Sequence, residues 1–301
     1  MAFPLSRRGL LGAAAAFPLV RTAWADAAIR VGGTTIEALR DGSFPLEPKM
    51  IPGADSDEGR ALLGAAGLPP AGPTPEPVNA FLVRRAGRAW LIDAGCGGLF
   101  GPDFGKVPAA LGASGIEPGA IEAVWLTHLH IDHAGGLLDP KGVARFPQAE
   151  ILVQEAEIAY WSDDAARSRA PAEMGPFFDA AQAVLAAYRG RVRAVSGAAD
   201  LAPGIAFMPL PGHTPGHSGV LVTDGNDRLL VWGDIVHSRI LQMPHPEWSV
   251  IWDLDQAQAR ATRRRILDQA AADGLVVAGM HVAARGRIER RGNGYALVDA
   301  A

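Results

Sequence analysis

A single cysteine, Cys96, is all that this chain of 301 residues contains. No internal disulfide is available to it, so its stability must come from something other than covalent cross-links, an apolar core first of all. Cys96 follows the strand-like Trp90-Leu91-Ile92-Asp93 and reads as a small buried residue in a tight turn, with a catalytic thiol as the alternative. Basic runs are missing apart from Arg263-Arg264-Arg265, which sits in a helical pattern and reads as a solvated helix face. Phosphate binding needs a concentrated positive surface, so a nucleic-acid partner is excluded. The apolar run from Gly9 to Val20 is shorter than the ~20 residues that span a bilayer. A G-x-S-x-G nucleophile elbow is also missing, which argues against a serine hydrolase. No repeat of fixed period is apparent.

What is present begins with an export pattern. Ser6-Arg7-Arg8-Gly9-Leu10-Leu11 carries twin arginines, an apolar run follows, and Ala23-Trp24-Ala25 offers a cleavage site. Residues 1–25 are therefore expected to be a twin-arginine export signal, 26–301 a single catalytic domain, and the location the periplasm. Without the signal the chain has 25 basic and 32 acidic residues, a net charge of −7. No stable membrane insertion is expected after its removal.

Strands are expected at Ala80–Val83, Trp90–Ile92, Ile121–Leu126, Ala149–Val153, Ile205–Pro209, Gly219–Thr223 and Leu229–Trp232. Helical patterns cover Val107–Ala113, Glu155–Tyr160, Pro176–Tyr188 and Leu254–Ala272, the last preceded by a capping region at Asp253. Ile51 to Val78, rich in Gly, Pro and Asp, reads as a long loop, and Trp161–Arg191 as a helical insertion over one face. Paired strands interrupted by helices imply an α/β layered fold with mixed sheets.

The chemistry lies in Thr127-His128-Leu129-His130-Ile131-Asp132-His133-Ala134-Gly135-Gly136. Residues i and i+2 of an extended segment share a side, so His128 and His130 can converge on one metal. The following turn redirects Asp132 and His133 to a neighbouring position, and Gly135-Gly136 permits close backbone packing. Three histidines and an aspartate within six residues, from a total of eight histidines, point to a metal site. Imidazole and carboxylate donors suit zinc and other first-row divalent ions.

H-x-H-x-D-H resembles the signature of the metallo-β-lactamase fold superfamily, and further motifs follow that family's order. They are Asp93 in Leu91-Ile92-Asp93-Ala94-Gly95, His213 in Pro211-Gly212-His213-Thr214-Pro215-Gly216-His217, Asp234 in Trp232-Gly233-Asp234 and His281 in Ala278-Gly279-Met280-His281. The resemblance implies an αββα four-layer sandwich of two mixed β-sheets flanked by helices, with two metal ions at one edge. It assigns His128, His130 and His213 to one ion, Asp132, His133 and His281 to the other, and Asp234 to a bridging position. Asp93 is implied to orient a ligand from behind, and His217 receives no ligand role. Asp132 and Asp234 are also implied to handle protons.

Two close divalent ions, most simply zinc, can share a hydroxide that attacks an ester, lactone or phosphotriester. Family members that carry two irons have Glu at the place of His130, and β-lactamases of this fold generally lack the carboxylate that Asp234 supplies. The chain also resembles exported methyl parathion hydrolase-like enzymes, through Gly97-Gly98-Leu99-Phe100-Gly101-Pro102, Phe146-Pro147, Tyr160-Trp161 and Phe177-Phe178. That similarity implies Phe100, Trp161 and Phe177 as substrate-facing. Two departures from it stand out. His237 occupies a position that is Tyr in many acyl-homoserine lactonases, where it could bond a substrate. Val282-Ala283-Ala284-Arg285-Gly286-Arg287 lacks the Phe-Pro-Gly turn of relatives. Alternatives are an acyl-homoserine lactonase, a β-lactamase-like hydrolase, and a non-catalytic periplasmic metal-binding protein. The expected partner is a small-molecule substrate, and a homodimer is allowed.

Overall fold

In the strand Arg88–Ile92, Leu91 packs to one face of its sheet and Trp90 and Ile92 to the other, and the same alternation sets the layers throughout. The computed structural model describes residues 28–299, so the expected export signal at 1–25 lies outside the described residues. The first sheet runs in spatial order β1 (Ile29–Val31), β2 (Thr34–Leu46), β3 (Thr74–Arg85), β4 (Arg88–Ile92), β5 (Ala123–Trp125), β6 (Glu150–Gln154) and β7 (Val192–Val195). Its first four strands are antiparallel and the remaining pairings parallel. The second sheet holds β8 (Asp200–Ala202), β9 (Ile205–Pro209), β10 (Ser218–Asp224), β11 (Asp227–Val231), β12 (Val276–Ala278), β13 (Gly286–Arg291) and β14 (Gly294–Asp299). Only β11 and β12 pair in parallel there.

Between the sheets lies a dry layer in which Phe81, Trp90, Ile92 and Trp125 meet Phe207, Val220, Val222 and Val231. Trp90 and Trp125 stack at 5.4 Å. Each such side chain contributes roughly 1.5–3 kcal/mol on burial. The outer face of the first sheet, including Leu82, Leu91, Val124 and Val153, packs on helices α2 (Val107–Ala113), α4 (Glu155–Trp161) and α6 (Gly175–Ala187). On the outer face of the second sheet, Leu230 and Val277 meet Ile266, Leu267 and Ala270 of α7 (Gln256–Asp273). The order is therefore α, β, β, α, as the resemblance implied. The remaining helices are α1 (Asp57–Ala65), α3 (Ile131–Ala134) and α5 (Asp164–Arg169). None of the helices among the described residues is long and apolar enough to cross a membrane.

Three expectations are corrected. The segment Ile51 to Val78 is not a loop throughout. Ser56 accepts from the Gly59 amide and caps α1, whose Leu63 joins a small cluster with Leu46, Ile51, Leu241 and Val250, and β3 begins at Thr74. Two glycines, Gly59 and Gly64, lower its helix propensity within a Gly- and Pro-rich stretch. The last helix is capped by Asp255, which accepts from the Gln258 amide, rather than by Asp253. Within the arginine run, Arg264 and Arg265 are exposed, but Arg263 is buried. Cys96 is buried, and burial pushes its thiol pKa up, which agrees with the structural reading.

The strand ends converge on one edge, where loops of the two sheets are tied together. The Ser218 amide donates to the Thr127 carbonyl at 2.9 Å and the Asn79 amide to the Met280 carbonyl at 2.9 Å. Gly136 donates its N–H to the Gly95 carbonyl at 2.8 Å, and any Cβ on it would overlap the carbonyl of Ala94. The close packing expected of Gly135-Gly136 is thus present. Gly136→Ala is expected to destabilise the protein by about 1–3 kcal/mol, through overpacking of two backbones. Urea denaturation measures this, and an unchanged midpoint would show that the two loops separate freely.

Candidate metal centre

β5 ends at Trp125 and the extended segment beyond it carries His128 and His130 on either side of buried Leu129. α3, a single turn, then swings Asp132 and His133 to the adjoining position. His213 arrives after β9, Asp234 after β11 and His281 after β12. Gly233, at φ +60°, makes the turn before Asp234, and a Cβ there would overlap the His217 ring. His217 holds this turn in place: its Nδ1 donates to the Leu210 carbonyl at 2.8 Å, and its Nε2 accepts the Asp234 amide at 2.9 Å.

Four of the five candidate ligand histidines are held at Nδ1, which leaves Nε2 facing inward. The Nδ1 partners are Thr127 Oγ1 for His128 (3.0 Å), Asp93 Oδ2 for His133 (2.7 Å), Asp253 Oδ1 for His213 (2.8 Å) and the Pro77 carbonyl for His281 (2.9 Å). His130 turns its Nδ1 inward instead, 3.0 Å from His213 Nε2. Besides an overlapping trio of Asp234, His237 and His281, two clustered metal-binding groups result. In one, ligand atoms of His128, His130, His213 and Asp234 lie within 4.8 Å of one another; in the other, those of Asp132, His133 and His281 do. Asp234 Oδ2 stands between them, at 3.7 Å from His128 Nε2 and 3.3 Å from Nε2 of each of His133, His213 and His281.

The donors fit divalent cations. His128 Nε2, His133 Nε2 and Asp234 Oδ1 are buried without a hydrogen-bond partner, an arrangement that is costly unless a cation satisfies them. Burial, then repulsion from neighbouring imidazoles, holds His128 and His130 well below the usual histidine pKa, in the neutral form that ligates metal. For His133 burial opposes the charged form, but Asp234, Asp132 and Asp93 outweigh it and raise the pKa well above the usual value. Carboxylates similarly raise His213 to about 9 and His281 to about 10 against the effect of burial. The second group, together with His213 of the first, thus calls for positive charge, and metal ions would supply it.

Behind the ligands stand residues that the sequence did not disclose. Asp253 joins His213 to the buried guanidinium of Arg263 (Nη2 to Oδ2, 3.1 Å). Arg263 also donates to the carbonyls of Ile235, Pro246 and Trp248, tying α7 to the segment after Asp234. Asp253 was legible only as a polar residue before a helix, and Arg263 only as one of three arginines.

Among the expected pocket residues, Phe177 is half-buried and edge-on to His130 at 5.2 Å. Trp161 is wholly buried and also edge-on to His130, at 5.3 Å. Phe100 is exposed, and its ring contact is with Phe104. His237 is buried, with Nε2 3.2 Å from Asp234 Oδ2 and its ring stacked on His281 at 4.8 Å. Burial lowers its pKa to about 4. Two further aromatics adjoin the site: Phe44, edge-on to His281 at 5.3 Å, and Trp252, 6.2 Å from His237. Neither carried a motif. In the atypical segment after His281, Val282 packs into the core under α7 and Gly286 opens β13.

Asp93, held at φ +58°, accepts the Thr127 amide at 2.7 Å and the Thr127 hydroxyl at 2.8 Å besides meeting His133. Asp93→Ala is expected to weaken binding of one of two metal ions about 10–100-fold. Chelator competition measures this, and an unchanged affinity would remove the orienting role.

Residues 73–281 match the family model described as the Metallo-beta-lactamase superfamily. The fold is similar to that of AbOPH, a hydrolase in the beta lactamase superfamily, at 27% identity and a TM-score of 0.84 over 91% of this chain and 97% of that one. It is also similar to AidC, a dizinc quorum-quenching lactonase, at 24% identity and a TM-score of 0.85 over 91% and 97%. An N-acyl homoserine lactone hydrolase, solved with N-hexanoyl-L-homoserine at its catalytic metal centre, aligns at 19% and 0.59 over 84% and 94%. The family match takes in both metal-binding groups and most of the chain, and the layered fold agrees with it: this chain belongs to the metallo-beta-lactamase superfamily and is a metal-dependent hydrolase.

Proposed function

We propose that the chain is a dinuclear zinc hydrolase of uncharged ester-type substrates, with a carboxylic ester or lactone as the native class and phosphotriesters also accepted. In this reading His128, His130 and His213 hold one ion, Asp132, His133 and His281 the other, and Asp234 spans both. The observation that carries it is the position of Asp234 Oδ2, within 3.7 Å of a nitrogen from histidines of both groups. When bound, two such ions supply the Lewis acidity that activates water and polarises the bond under attack. The chain's own residues divide the rest of the work. Asp132 is the one ligand of the seven that is not buried, so it can pass a proton from the reacting water to solvent. Asp234 is buried and held from several sides, which suits it to fixing the spacing of the ions. Phe44, Phe177 and Trp252, all uncharged and half-buried, stand against His281, His130 and His237 and favour a neutral, apolar substrate. Trp161 would support this wall from behind, while Phe100 would act at the rim. His237 would orient the substrate, with its Nδ1 buried and unpartnered. Lactone cleavage is the chemistry of AidC, which has the same fold. The twin-arginine pattern at Ser6 to Leu11 supports delivery to the periplasm.

Metal analysis of the purified protein should find two zinc equivalents, and p-nitrophenyl esters, lactones and paraoxon provide the substrate screen. His128→Ala and Asp234→Ala are each expected to lower kcat at least ~100-fold. Two bound metals with no turnover on any of these substrates would overturn the hydrolytic assignment to this class. Turnover surviving both substitutions together would overturn the dinuclear mechanism instead. His237→Phe is expected to reduce kcat/KM about tenfold, the worth of one hydrogen bond, with metal content unchanged. Loss of metal in that variant would assign His237 to ligation instead.

A further inference from the structure

Glu157, on α4, is wholly buried, and the ligand set does not use it. Its Oε2 accepts the Leu129 amide at 3.0 Å and the Trp161 indole N–H at 2.8 Å, while Oε1 accepts the Gly216 amide at 2.8 Å. Leu129 lies between His128 and His130, after a strand of the first sheet. Gly216 lies three residues beyond His213, in the loop that joins two strands of the second sheet. One carboxylate thus fastens both segments that carry the first group's histidines, and also the tryptophan packed on His130. Gly216 is cut to fit this tie: a Cβ there would lie 2.9 Å from the Glu157 backbone nitrogen and 3.0 Å from its Cγ.

The choice of a carboxylate is costly, because burial raises the pKa of Glu157 and its partners are neutral hydrogen-bond donors rather than a cation. A glutamine could offer only one acceptor oxygen, so it would hold one loop or the other. We propose that Glu157 is a positioning residue for the first metal ion, locking His128, His130 and His213 into one ligand triad across the two sheets. This rests on the reading that these three histidines share an ion.

The test uses the full-length metal-loaded protein and chelator competition with zinc, followed by cobalt(II) substitution. Wild type is expected to retain two equivalents; if it does not, the dinuclear reading itself fails. Glu157→Gln is expected to weaken one equivalent about 10–100-fold and leave the other unchanged. Its cobalt spectrum should then resemble that of His128→Ala rather than that of His133→Ala, and excess zinc should restore kcat. Gly216→Ala, which pushes the loop away from the carboxylate, should weaken the same equivalent, and it carries the test if Glu157→Gln does not fold. Retention of both equivalents at wild-type affinity in a folded variant overturns the proposal. Equal weakening of both equivalents does so too, since a merely structural role would produce it.

Discussion

Five imidazoles crowd one carboxylate oxygen. Besides His128, His133, His213 and His281, His237 also approaches Asp234 Oδ2, at 3.2 Å. Placing so many nitrogens around a buried anion demands elements from both sheets, and it demands that each ring be held from outside. The oxygens on four Nδ1 atoms and the His217 contact to the Asp234 amide meet that demand. The αββα layering then has a functional consequence beyond stability. Strands of both sheets end at one edge, so short loops alone can bring seven donors together.

The two groups solve the problem by different physics. The first is composed of imidazoles with one shared carboxylate; His128 and His130 remain neutral, and His213 alone, beside Asp234 and Asp253, gains from local negative charge. Its integrity is a matter of geometry, supplied by Asp253 behind His213 and by Glu157 between the loops. In the second group Asp132, Asp234 and Asp93 surround His133, and their field draws positive charge into the site. Cation binding there is favoured by electrostatics before any ring is placed.

Sequence reasoning reached what is local and missed what is distant. His128, His130, Asp132 and His133 lie within six residues, so spacing alone exposed them, and the ordered motifs around Asp93, His213, Asp234 and His281 supplied the rest. Strand positions followed from apolar runs bounded by turns. Glu157 was invisible because the two loops it ties lie 28 and 59 residues away and are held by backbone amides, which leave no residue-type signature. Arg263 looked solvated because a triplet of arginines on a helix usually is; only the packing of α7 reveals that one of the three faces inward to carbonyls and Asp253. Helix α1 was hidden by its glycines, Gly59 and Gly64, and Phe44 by its setting in a strand whose pairing runs through prolines at 45, 75 and 77.

These buried charges also bear on how the substrate wall is held. Arg263 links His213, through Asp253, to the carbonyls of Pro246 and Trp248, and that segment leads to Trp252 beside His237. On the opposite side, Glu157 links the loops of His130 and His213 to Trp161. Each proposed wall is therefore fastened to a histidine of the first group by a buried side chain with several hydrogen bonds, an arrangement that tolerates little displacement because partial satisfaction is expensive. In the proposed reading, substrate fit and metal geometry are coupled through the same two residues, so neither can drift without the other.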